Sequence, residues 1–278
     1  MSIAALLSLA VLGLVAGFVS GLVGIGGGVL IVPFLYFFYS HPAFSGTTVA
    51  HELQAAMAHA TSLFIIVPTA VTGTLTYHRL HAVVWRAALP IALCSTFGAA
   101  AGSRIMPLLP PEWVKLGFGV FLLFTAGNLA FGKRRAVPGE VRVSPGAAAL
   151  TGLLVGLLSA FLGVGGGIVA IPLLLRVMHV RLEQVAATSL AIVAVAAAAG
   201  AIAYLLSSPP AAVVPRGVVG YVHVTAAVPI LLGAALTVGW GARVNQMLDA
   251  RWLRWGFAAL FALIGLQLAI QNAAAAWA

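Results

Sequence analysis

Acidic residues are scarce in this sequence: Glu52, Glu112, Glu140, Glu183 and Asp249 are the only five among 278. No apolar segment carries two of them, and no HExxH run is present. An intramembrane hydrolase or metal enzyme needs paired carboxylates, a Ser–His set or a histidine cluster on its spans. Catalysis therefore has no residues to use, and neither a metal nor a cofactor is expected. Cysteine is rarer still. Cys94 stands alone, which excludes an internal disulfide, a CxxC pair and a thiolate cluster. The glycine runs described below lack the strand–turn–helix unit and following acid of a dinucleotide fingerprint. With no other nucleotide-binding motif, the chain encodes no ATPase.

Charge of either sign is the third shortage. Only 7% of residues are charged and 62% are hydrophobic, whereas a soluble domain carries about 25% charged residues. There is too little polar surface to cover a water-facing globule, so lipid is the solvent over most of the outside. The net charge of +9 comes from 14 Lys and Arg lying in short gaps between apolar runs. A nucleic-acid partner would need a soluble basic face; basic gaps instead fit the positive-inside bias of a membrane protein. Residues 1–16 are apolar with no Lys or Arg before them. A cleaved signal peptide has a basic leading region, so this stretch is expected to be retained.

Apolar runs near 3–23, 55–77, 83–106, 113–131, 145–162, 185–206, 218–242 and 252–270 are long enough to span a bilayer as helices. Two shorter runs, 28–40 and 167–180, follow glycine clusters. The chain also repeats itself. GFVSGLVGIGGG at 17–28, followed by Pro33, is matched by GLLSAFLGVGGG at 156–167, followed by Pro172, at an offset of 139 residues. Pro90 and Pro229, Arg104 and Arg243, Trp113 and Trp252, and Lys115 and Arg254 keep that offset. In between it falls to 127, where Thr61-Ser62 matches Thr188-Ser189, Gly73 matches Gly200 and Tyr77 matches Tyr204. Insertions near 41–52 and 207–218 account for the change, both between spans. The expected organisation is a first transmembrane repeat at 1–132, a polar, basic linker at 133–144 and a second repeat at 145–278.

Each repeat opens with about 38 nearly unbroken apolar residues, roughly 57 Å as one helix, against a hydrocarbon core of about 30 Å. The glycine triplet is the place to turn back. The fold class expected is an all-α polytopic membrane protein of two inverted-topology repeats, each a glycine-tipped helical hairpin (re-entrant or spanning) plus three transmembrane helices. One hairpin and three crossings change sides an odd number of times, which is why the repeats invert. With the linker in the cytoplasm, inversion leaves only Arg104, Lys115 and Arg216 outside and the other 11 basic residues inside, whereas parallel repeats divide them 7 and 7. The bias selects inversion in a bacterial inner membrane, with both termini periplasmic.

Inverted repeats with interrupted helices place transporter sites where the broken elements meet. Gly24, Gly26, Gly27 and Gly28, and their counterparts Gly163, Gly165, Gly166 and Gly167, each precede a short helix. A helix N-terminus offers unpaired N–H groups and partial positive charge, and glycine lets an oxyanion approach the backbone. Close helix packing is the alternative use of such glycines. Thr61, Ser62, Thr188 and Ser189, in apolar helices, either donate to the anion or bond back to their own helix. His59, Gln54 and Glu52 are candidates for proton coupling or gating, because polar groups at membrane depth are functional by default. Tyr77, Tyr204, Trp85, Trp113 and Trp252 read as interfacial aromatics, and His51 and His223 as helix-end histidines.

The paired glycine blocks, with Thr61-Ser62 and Thr188-Ser189 as weaker supports, resemble the TauE/SafE sulfite-exporter family over nearly the whole chain. The resemblance implies a multi-pass secondary transporter, an exporter of sulfite, a sulfonate or a related small organosulfur anion. It does not choose among those anions. An anion channel, or a subunit of a larger membrane complex, is the alternative.

Overall fold

The computed structural model describes residues 3–46, 48–131, 141, 143–209, 215, 217–247 and 250–276. Most of the linker expected at 133–144, and part of the insertion near 207–218, lie outside the described residues. So do the side chains of Arg251, Trp252 and Arg254.

The chain is a multi-pass helical membrane protein. Its helices are α1 (Ile3–Val23), α2 (Gly28–Ser40), the single turn α3 (Pro42–Ser45), α4 (His51–Arg79), α5 (Trp85–Ile105), α6 (Pro111–Phe131), α7 (Pro145–Leu162), α8 (Gly167–Arg176), α9 (Leu182–Leu206), α10 (Val224–Asn245) and α11 (Ala250–Ala276). Among the described residues six helices are long and apolar enough to cross a membrane: Ile3–Val23, His51–Arg79, Trp85–Leu108, Pro145–Leu162, Glu183–Leu206 and Val224–Asn245. At 13 and 10 residues, α2 and α8 are too short; ten residues rise only about 15 Å. The run expected at 167–180 stops at Arg176, and the chain turns through His179 at φ 54°.

One expected span starts late. Residues 218–223 form a two-stranded hairpin, β1 (Val218–Val219) and β2 (Val222–His223), paired Val218 to His223 and Val219 to Val222. Gly217 at φ +81° and Gly220 at φ +57° turn the chain where a side chain would be strained. Tyr221 N–H then donates to the Tyr204 carbonyl, 3.2 Å away, at the end of α9.

Lipid gives no hydrophobic drive between helices, so close packing depends on small residues. Gly13, Gly17 and Gly21, four apart on α1, lie against the backbone of Ile230, Ala234 and Val238 on α10; a Cβ on Gly13 would sit 2.8 Å from the Ile230 carbonyl carbon. Gly152 and Gly156 on α7 meet Ile91 and Ser95 on α5 in the same way, each pair displaced by 139. Both registers ascend together, so these helices run parallel. By contrast, Gly73 meets Leu190 and Gly200 meets Leu63, a descending register in which α4 and α9 run antiparallel. α4 and α9 are also the most buried spans. Leu7, Phe97, Leu150 and Leu236 point outward and are exposed, as a lipid-facing rim requires.

Candidate functional site: the crossed glycine tips

The α1–α2 and α7–α8 turns are built from left-handed backbone that only glycine adopts without strain. In the first, Gly24, Gly26 and Gly27 have φ of +76°, +96° and +77°; in the second, Gly163, Gly165 and Gly166 have +66°, +83° and +78°. The tips touch each other. A Cβ on Gly28 would lie 2.6 Å from the Val164 Cα, and one on Gly167 would lie 2.6 Å from the Ile25 Cα. Each tip also rests on the long central helix from the other half of the chain. Gly24 lies on Ala186 of α9 and Gly163 on His59 of α4, again with 2.6 Å between the added Cβ and the neighbour's Cα. Ile66 and Val193 flank the centre, next to Gly26 and Gly165.

Two serines tie this crossing. Ser62 Oγ donates to the Gly163 carbonyl at 2.7 Å, and Ser189 Oγ donates to the Gly24 carbonyl at 3.0 Å and the Gly167 carbonyl at 3.4 Å. Both hydroxyl protons are thus committed to the tips. The threonines beside them work one turn further out. His223 N–H donates to Thr61 Oγ1 at 2.9 Å and Val84 N–H to Thr188 Oγ1 at 3.1 Å, so each threonine caps a helix start contributed by the other half. Thr188 also bonds back to the Gln184 carbonyl at 2.7 Å. All four hydroxyls are buried and hold the tips and helix starts in place.

The helix N-termini at the tips remain electrically open. Leu30 and Ile31 N–H bond to the Gly27 carbonyl, and Val169 and Ala170 N–H to the Gly166 carbonyl. The amides of Gly28 and Val29, and of Gly167 and Ile168, have no acceptor among the described residues. Neither Gly27 nor Gly166 offers a side-chain cap. Four uncommitted donors and two positive helix ends therefore lie buried at the crossed tips.

The remaining candidates are spread out. His59 is fully buried and its Nε2 bonds to the Tyr36 hydroxyl; Phe118 packs on both rings. Lys115, only 7% exposed, holds its Nζ 5.5 Å above the Tyr36 ring. Gln54 is a brace between α2 and α4: its Nε2 faces the Tyr39 and Val49 carbonyls at 3.4 Å, and its Oε1 accepts from Ser40 at 3.3 Å. Glu52 is exposed in the first turn of α4, away from the tips. His51 pairs with Glu112 at 3.4 Å. His223 stacks on Tyr39 at the start of α10, where burial lowers its imidazole to about 4.

Tyr77 and Tyr204 correct the interfacial reading. Both are fully buried, and their hydroxyls donate to the carbonyls of Gly21 at 2.7 Å and Ala160 at 3.0 Å. Trp85 and Trp113 are exposed. Sequence reasoning also passed over Tyr36 and two serines, Ser20 and Ser159. Tyr36 faces Leu175 across the repeat offset and gave no signal. The serines stood in register inside the glycine blocks, and that register was the signal.

The profile of the family described as sulfite exporter TauE/SafE matches residues 9–268. A probable membrane transporter protein of Methanocaldococcus jannaschii is 25% identical over 262 residues, covering 93% of each chain. The probable membrane transporter protein YunE of Bacillus subtilis is 27% identical over 283 residues, covering 95% of this chain and 97% of its own. A probable membrane transporter protein of Haemophilus influenzae is 26% identical over 262 residues, covering 93% and 96%. No solved structure matches the chain.

Proposed function

The chain belongs to the sulfite exporter TauE/SafE family, and on that premise we propose that it is a secondary transporter, in the exporting direction, of sulfite, a sulfonate or a related small organosulfur anion, bound at the glycine tips. One observation carries this reading: two buried helix N-termini with uncommitted amides meet at tips that each half of the chain supplies to the other. Such a site attracts negative charge without a cation of its own. A transported anion must also leave, and backbone dipoles hold it less firmly than a fixed buried ion pair would.

Alternating access would follow from inverted halves. The halves contribute α4 and α9 as counterparts, and these pack antiparallel. A pseudo-two-fold axis along the helices would make counterparts parallel; an axis across them makes them antiparallel. The short α2 and α8 would then be re-entrant, entering from opposite faces of a bacterial inner membrane, with the linker cytoplasmic.

Proteoliposomes loaded with unlabelled sulfite test the function. Uptake of labelled sulfite should saturate and should be accelerated by internal sulfite, because an alternating site exchanges substrate. Flux that rises linearly with concentration and ignores internal sulfite would instead mean an anion channel.

A further inference from the structure

Ser20, on the last turns of α1, is 1% exposed and Ser159, at the matching position of α7, is fully buried; neither Oγ has a hydrogen-bond partner. A buried hydroxyl without a partner costs free energy that alanine would avoid. Here the same cost is carried twice, at positions 139 residues apart. Both serines stand beside a tip. A Cβ on Gly27 would lie 3.4 Å from the Ser20 Cβ, and one on Gly166 would lie 3.2 Å from the Ser159 Cβ. Gly27 and Gly166 are the residues from which α2 and α8 start, so each serine adjoins the residue that directly precedes two uncommitted amides, Gly28 and Val29 or Gly167 and Ile168.

We propose that Ser20 and Ser159 are direct ligands of the transported anion, each hydroxyl joining two tip amides in a three-donor cradle. The proposal rests on the transport reading above and adds the ligands and the shape they select. Three donors around a positive helix end match the three oxygens of a pyramidal sulfite or of a sulfonate head, whereas a planar carboxylate presents two. Ser62 and Ser189 play the other part, holding the tips through bonds to carbonyls. The two serine pairs therefore differ in kind: one is bonded within the protein, and the other is bonded only when anion is present.

Ser20→Ala and Ser159→Ala, in the purified full-length protein, separate these roles. Binding of sulfite, methanesulfonate and acetate would be measured by titration, with thermal unfolding recorded without anion. Each variant should unfold at the wild-type temperature or above it, because an unpartnered polar group has been removed. Each should bind sulfite and methanesulfonate at least about tenfold more weakly, the usual scale for a hydrogen bond to a charged group. In the unaltered protein acetate should bind more weakly than either. Wild-type sulfite affinity in both variants would overturn the proposal. So would misfolding of either variant, since the hydroxyl would then have a partner within the protein. If the unaltered protein binds neither sulfite nor methanesulfonate, the transport reading itself fails, a different result from loss confined to the variants.

Discussion

At the scale of single residues, small hydroxyls and missing side chains carry most of the argument. Ser62 and Ser189 donate to carbonyls 101 and 165 residues away. Ser62→Ala would leave the Gly163 carbonyl without that donor, and Ser189→Ala would do the same to Gly24. Hydrogen bonds between membrane helices contribute about 0.6 kcal/mol on average and up to about 1.7. Each alanine variant should therefore lower the unfolding temperature in the absence of anion, which thermal unfolding in detergent would register. An unchanged midpoint would mean that these bonds do not hold the tips. Their polar side chains in apolar helices were visible in the sequence as candidate anion donors, but partners so distant in the chain were not. His59 illustrates the same gap: its place at membrane depth was expected, while its burial and its bond to Tyr36 depend on how α2 lies against α4.

At the scale of elements, glycine does two jobs that the sequence pattern did not separate. In the tips it supplies positive φ as well as close contact; along α1, α7, α5 and α10 it only admits backbone-to-backbone contact. Gly13 and Gly156 belong to the second group, and a leucine at either would have to displace a neighbouring helix backbone. Overpacking a fitted core typically costs about 1–3 kcal/mol, and rigid backbone leaves little room to yield. Gly13→Leu and Gly156→Leu should therefore yield little folded protein by size-exclusion chromatography. Gly117→Leu and Gly127→Leu should behave as the wild type, because nothing lies within 4 Å of a Cβ at either position. Equal behaviour of the two groups would remove the packing account. The hairpins, with ends at Val23 and Gly28 and at Leu162 and Gly167, were legible because a glycine triplet interrupts an otherwise continuous apolar run. The β1–β2 hairpin was not. Its valines extend the apolar run of α10 without a break, and only Gly217 and Gly220 mark the turn.

At the scale of the whole molecule, two independent arguments bear on which way the two halves face. Counting Lys and Arg uses only the gaps between spans, and it favours inversion by 11 to 3. The antiparallel packing of α4 on α9 uses only contacts among apolar side chains and glycines. An error in assigning loops to sides would not reverse the packing, and an error in packing would not redistribute the charges. Inversion has a definite consequence for access. With a hairpin and three crossings in each half, as expected from the sequence, inversion would put the segment after the first hairpin and the segment after α9 on the same face, opposite the linker. Single cysteines at Ala43, Ala136 and Ala211, each in a Cys94→Ala background, report on those three segments. Positions 43 and 211 should both react with an impermeant maleimide added to cells with a permeabilised outer membrane. Position 136 should react only after the inner membrane is disrupted. Parallel halves would place 43 and 211 on opposite faces, so labelling of one without the other would exclude inversion. Alternating access by exchange of equivalent halves would fall with it, while the crossed tips and their four open amides would remain to be explained as a constriction in a channel.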